Sequence, residues 1–334
     1  MRYWDIIRHR SVWMGAAILW VVFFHIPETL DMPLLAFVKQ LGYGGVDLCL
    51  FASGVGCYYS LHKDPDVGRF IVRRFWRLAP VYLLFMAFWI PWKWFADQLT
   101  IPNVIGNIFG IQYLTALDLE FNWYVSAIIV FYFLAPYLKA FLDSASRMGK
   151  VLMLAVLLVL VIPFWMSGVY IIIVTRLPVF YLGMMFASGA EEDRVVRPWQ
   201  MVVGAVLMGL GMWFLKYAFK EIPDTLWRYG VAWVPFAAIA PPMCVFLSGG
   251  AELLERIPGG KAIISLLSWV GCYSFEIYLI HISMMEILPE FLADCGNGNP
   301  GTMVWAAVIA VMMALCVLLR RMSVWLVALL HKKK

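Results

Sequence analysis

Apolar runs recur from one end of the chain to the other, each near the roughly 17–25 residues a helix needs to cross a bilayer. In lipid, a backbone must satisfy its own N–H and C=O groups, so such runs fold as helices unless they close into a barrel. Of the 334 residues, 63% are hydrophobic and 14% are charged, against about 25% charged for a soluble domain. The expectation is an all-α fold, a polytopic integral membrane helical bundle of about ten transmembrane helices, forming one domain over 1–334. The spans read 11–27, 41–61, 78–96, 122–142, 151–168, 169–188, 199–219, 228–248, 263–286 and 301–320. Segment 97–121 is too mixed for a span and reads as an interfacial or re-entrant piece. The run 11–26 is followed by PETLD rather than a small-residue cleavage site, so no signal cleavage is expected. The six cysteines are scattered in neither a metal spacing nor a disulfide framework, and no metal is expected.

The basic residues give an orientation. With the N-terminus inside, 20 of the 26 lysines and arginines fall in inside segments. Lysine and arginine resist translocation, so both termini are expected to be cytoplasmic.

Ionisable side chains within spans are expensive and face the bundle interior. In "VVFFHIPETL", Pro27 disfavours helical geometry at Ile26, which puts His25 in or near the last turn of the first span. There the helix's negative end and burial in apolar surroundings pull the ring in opposite directions. A histidine so balanced suits general-base work, and it equally suits a structural hydrogen bond. Asp47, near the outer end of the second span, reads either as a helix N-cap or as the group that orients His25. Small residues Gly45, Cys49 and Ser53 recur at i, i+4, i+8 and allow the first two spans to pack closely. Arg176 lies about 10 Å below the outer start of its span, and Glu276 about 20 Å above the inner start of a straight helix over 263–286. The two are expected to share a polar cavity as an ion pair, with His281 just beyond, or else to form a purely architectural salt bridge.

"RFIVRRFWRLAPVY" places Arg69, Arg73, Arg74 and Arg77 at the cytoplasmic entrance of the third span. Helical spacing gathers them on one broad face. Two readings stand: an anchor to anionic membrane lipid, or a bidentate grip on the phosphates of a nucleotide.

Several segments resemble the integral-membrane acyltransferase-3 family of bacterial glycan O-acyltransferases. "WVVFFH" looks like the end of its first helix, which closes on an essential histidine. "GYGGVDLCLFASGVGCYY" is similar to its Gly-Val-Asp segment, and "FIVRRFWRLAPVY" to its Arg-x-x-Arg block, matched by Arg74 and Arg77. "WVGCYSFEIYLIH" resembles its late helix, matched at Gly271, Ser274, Tyr278 and His281. "NWYVSAIIVFYFLAPYL", which opens with Trp123, and "RLPVFYLGM" are weaker matches. Beyond the tenth span the sequence runs out in "RMSVWLVALLHKKK", so the likeness is to members without an appended esterase-like domain.

The resemblance implies a transferase of the bacterial cytoplasmic (inner) membrane. It would take an acyl group, acetyl by default, from a cytoplasmic coenzyme A thioester and pass it to a hydroxyl of a surface polysaccharide or lipid-linked glycan. Arg73, Arg74, Arg77 and Arg10 would hold the acyl-CoA phosphates. His25, with Asp47, would act as general base or as a transient acyl carrier. Ser53, Trp123, Arg176, Glu276, Tyr278 and His281 would line the pocket. Two positions depart from the family. Met14 stands where an arginine is common eleven residues before the histidine, with Arg10 one turn away. Ile128 stands where many members have a glutamate. The competing readings are a transporter or flippase of a lipid-linked glycan or acyl donor, which would use the same buried charges as a proton relay, and a non-catalytic assembly partner. No nucleic-acid partner is expected.

Overall fold

The computed structural model describes residues 1–26, 31–96, 98–116, 122–168, 170–228, 230–294 and 302–331. Pro27, part of segment 97–121 and the terminal Lys332, Lys333 and Lys334 lie outside them. Among the described residues the regular structure is helical, with a single isolated bridge between Arg2 and Val195. Among the described residues eight helices are long and apolar enough to cross a membrane, and nine if one bent pair counts as a span. The shorter apolar helix Arg10–His25 accounts for the tenth expected segment.

In chain order, a short α1 (Tyr3–Ile7) precedes α2 (Arg10–His25). As Pro27 implied, α2 stops at His25, and Ile26 is extended with φ −64° and ψ 123°. Helix α3 (Pro33–Gln40) and a 3-10 turn (Leu41–Gly44) lead into α4 (Gly45–Lys63). Helix α5 (Val67–Phe95) carries the arginine cluster and the third span as one continuous rod. Segment 97–121 contains two short helices, α6 (Ile101–Ile108) and α7 (Gln112–Ala116). They pack on α5 and α8 (Trp123–Ser144). Buried polar contacts fix them there: Tyr82 Oη donates to the Asn107 carbonyl at 2.5 Å, and Ser126 Oγ to the Gly110 carbonyl at 2.7 Å.

Helices α9 (Arg147–Val159) and α10 (Val161–Ser167) make one outer rod before α11 (Ile171–Glu191). Helix α12 (Pro198–Glu221), the turn-length α13 (Pro223–Leu226) and α14 (Phe236–Leu254) follow. The expected ninth span is not one rod. Helix α15 (Gly260–Cys272) meets α16 (Ser274–Asp294) at a 74° bend. The chain closes on α17 (Thr302–His331).

The centre of the bundle is the parallel pair α4 and α11. A Cβ at Gly54 would lie 2.2 Å from the Phe180 carbonyl oxygen, and one at Gly183 would lie 2.1 Å from that of Phe51. Each glycine therefore lets the other helix's backbone come into direct contact, the device by which helices associate without a hydrophobic driving force. Helices α2 and α15 cross in the same way, with Gly15 on the Leu267 carbonyl and Gly271 on that of Ser11. Gly183→Val is expected to lower stability by about 2 kcal/mol or more, because the clash is with backbone that has no rotamer to change. Gly209→Val, with nothing within 4 Å, is expected to be neutral. Thermal melts of the two variants in detergent check the contrast.

Candidate functional site

A cavity of about 510 Å³ enters the bundle at its basic end. Helix α2 contributes Arg10, Met14, Ile18 and Val21, spaced along one helical face. Helix α4 contributes Cys49, Ser53 and Gly56, and α8 contributes Tyr124 and Tyr132. The bent α15–α16 pair adds Ser274, Glu276 and Tyr278.

Four guanidinium groups converge on the mouth: Arg10, Arg74, Arg77 and Arg320. Arg74 is 8% exposed. Its Nη2 donates to the Gly56 carbonyl at 2.8 Å, and its guanidinium lies over Phe70 and Tyr132, 5.0 and 5.4 Å from the ring centroids. Arg10 reaches the same place from α2, its Nη1 2.6 Å from where a Gly56 Cβ would be. Met14 lines the cavity one turn deeper, so the arginine one turn away does reach the cluster.

Arg73 does not join the group. Together with Arg69 it turns back to Asp64, at 2.6 Å and 2.9 Å. Those hydrogen bonds, Arg69 first and then Arg73, push the Asp64 carboxyl down to about 2, so it stays ionised at any working pH. In exchange, α17 supplies Arg320, which by sequence alone reads only as an inside-positive charge.

His25 continues the cavity stripe of α2 one turn beyond Val21. The step from Arg10 to Val21 is about 16 Å, and His25 lies about 6 Å further. His25 Nδ1 is 2.9 Å from the Val21 carbonyl oxygen. A carbonyl only accepts, so Nδ1 carries a proton, and in the neutral ring Nε2 keeps its lone pair. His281 repeats the arrangement, with Nδ1 2.8 Å from the Tyr278 carbonyl oxygen. The two imidazoles meet with ring centroids 4.9 Å apart.

Asp47 does not orient His25. Its partner is Arg176 of α11, Nε to Oδ1 at 3.6 Å, with both groups fully interior at 0% and 2% exposure. The reason is angular. Gly45 faces α2, where a Cβ would meet the Ala17 carbonyl, and Asp47 lies about 200° further round α4. The Arg176 guanidinium is held between Trp123 and Trp233, 4.5 and 4.9 Å from their ring centroids. Asp47 and Arg176 therefore sit outside the cavity, as does Trp123.

The expected Arg176–Glu276 pair is absent for a second reason. Glu276 occupies the first turn of α16, just past the bend, instead of the middle of a straight span. It lies at the basic end, 4.0 Å from Arg320. Among the described residues no group of three His, Cys, Asp or Glu side chains could hold a metal ion.

These features define a multi-pass helical membrane protein with a basic-mouthed cavity; its lining reaches Val21 and Tyr278, and the histidine pair His25 and His281 lies outside it, about one turn further along α2 and α16. A family model described as "Acyltransferase domain" matches residues 15–321, and the chain belongs to that family, acyltransferase-3. No curated protein and no solved structure matches it.

Removing one partner of a buried ion pair leaves the other charged and unpaired, which costs about 3–5 kcal/mol. Asp47→Ala and Arg176→Ala are each expected to destabilise by that amount, and the double variant by less than their sum. A double-mutant cycle on denaturation midpoints checks it.

Proposed function

We propose that this acyltransferase is an O-acyltransferase of the bacterial inner membrane that draws acyl groups, acetyl by default, from cytoplasmic acyl-CoA. The acceptor is a hydroxyl of an extracytoplasmic surface glycan or its lipid-linked precursor. The observation that carries this reading is one cavity with arginines at its mouth and, along α2, a lining that reaches Val21, one turn before His25. A coenzyme A thioester has the matching polarity, with phosphates at one end, a long neutral arm and a reactive carbonyl at the tip. Arg10, Arg74, Arg77 and Arg320 meet the phosphates, for which guanidinium is the fitting donor. The arm then follows the α2 stripe of Met14, Ile18 and Val21 toward His25.

His25 acts as general base. Its Nε2 takes the proton of the acceptor hydroxyl while that oxygen attacks the thioester carbonyl. Collapse of the tetrahedral intermediate breaks the C–S bond. The departing thiolate takes the proton from the imidazolium and leaves as coenzyme A thiol. The hydrogen bond from Nδ1–H to Val21 fixes the tautomer this step needs. Direct transfer requires donor and acceptor together, whereas an acyl-histidine intermediate would give ping-pong kinetics.

His25→Ala is expected to lower coenzyme release from labelled acetyl-CoA by about 100-fold or more, within the range of general-base effects, with elution on size exclusion unchanged. Activity of the unaltered protein is expected to fall as the medium is acidified, because a protonated Nε2 accepts nothing. Turnover that survives in His25→Ala contradicts the assignment. The Arg74→Ala, Arg77→Ala double variant is expected to weaken coenzyme A binding by about 30-fold, as loss of charge-assisted hydrogen bonds does, while insertion is kept. Scrambled topology with unchanged affinity would instead favour the lipid-anchor reading.

A further inference from the structure

Glu276 is the one carboxylate among the described residues lining a cavity whose mouth gathers four arginines. It is 5% exposed, and among the described residues only its own backbone N–H donates to it. Its nearest cation is Arg320, and 4.0 Å from Nε to Oε1 is too long for a hydrogen bond. Arg320 is engaged elsewhere, donating through Nη1 to the Cys272 carbonyl and lying over the Tyr273 ring with 4.9 Å to the centroid. Glu276 therefore has acceptor capacity left over, and it lines the cavity. A bare carboxylate beside a phosphate site repels phosphates, so by itself it weakens the grip of the arginines. It contributes to binding only for a ligand that brings an N–H or O–H to that point, and it discriminates against one that does not.

Its position names the part of the ligand. Glu276 comes just before Tyr278 on α16, and Tyr278 also lines the cavity. It thus stands at the start of the route from the guanidinium groups toward Val21. On the reading of this cavity as the acyl-CoA site, the part of the donor beside it is the pantetheine arm, which carries two amide N–H groups and a hydroxyl. We infer that Glu276 is a donor-specificity residue, accepting a hydrogen bond from an N–H or O–H of the pantetheine arm and rejecting nucleotides that lack the arm. The bend at Cys272–Ser274 is what brings it there, since a straight helix over 263–286 would carry it about 20 Å up the bundle.

The test compares coenzyme A with 3′-phospho-ADP, the same nucleotide without the arm, by calorimetry on the purified full chain. Glu276→Ala is expected to reduce the ratio of coenzyme A affinity to nucleotide affinity at least tenfold, with nucleotide binding unchanged or tighter. Glu276→Gln keeps a carbonyl acceptor in the same volume and is expected to lose only part of the ratio. It also carries the test if the alanine variant does not elute as a single species, and there an unchanged ratio overturns the proposal. Equal tightening of both ligands in the variants overturns it too, and makes Glu276 only a counter-ion of Arg320. If the unaltered protein binds neither ligand, the acyl-CoA reading itself fails and this proposal with it. If it binds coenzyme A and the ratio survives in Glu276→Ala, only the proposal fails.

Discussion

The buried ion pair between Asp47 and Arg176 sits at one end of a stripe where two helices touch backbone to backbone. On α4 the stripe is Asp47, Phe51, Gly54. On α11 it is Arg176, Phe180, Gly183. Seven residues, two turns, separate charge from glycine on both helices, so charge and glycine share a face. The stripe continues to the basic end, where Tyr59 Oη reaches the Ala187 carbonyl and His62 lies 3.5 Å from Glu191. Two buried charges are expensive to desolvate, and their attraction offsets that only when the geometry holds them together. Here the tryptophan faces and the glycine contacts supply that geometry. The pair is thus a register pin for the two central helices.

With one face of α4 committed to α11, the opposite face is left for α2 and the cavity. Gly45 seats against α2, while Cys49, Ser53 and Gly56 line the open space below it. The crossing of α2 by α15 then sets where the bend falls, and the bend sets what reaches the mouth. Arginines from α2, α5 and α17 meet there although they are far apart in sequence. Their convergence gives the cavity a charged end and an apolar interior, an arrangement matched to an amphipathic donor rather than to a small ion.

Much of this was legible in the sequence. Ten apolar segments became ten helical segments, counting the bent pair as one, because period and length leave lipid-spanning chain few alternatives. Pro27 correctly located the end of α2 through its effect on Ile26. The angular positions were less legible. Placing Asp47 by depth alone ignored that two residues carry a helix more than half a turn, and the Gly45, Cys49, Ser53 stripe already implied that Asp47 pointed away from α2. Depth along an unbroken helix misplaces Glu276, because the chain bends by 74° just before it. Gly271 followed by Ser274 and an acid in the next turn is a helix stop and start, and it was the available signal. Arg73 leaves the arginine face because Asp64, in "HKDPD" just upstream, offers it and Arg69 a nearer partner. Arg320 carried no signal beyond a positive inside loop, since its role depends on a contact across 48 residues.

Everything proposed for the chemistry depends on how a donor lies in the cavity. A structure with a non-transferable acyl-CoA analogue, determined in a lipid nanodisc, measures this directly. The account predicts phosphate density among Arg10, Arg74, Arg77 and Arg320, the arm passing Glu276, and the acyl carbonyl beside Val21 beneath His25. Density for the coenzyme at the opposite end of the bundle, or phosphates in place with the acyl tip pointing away from α2, would contradict it.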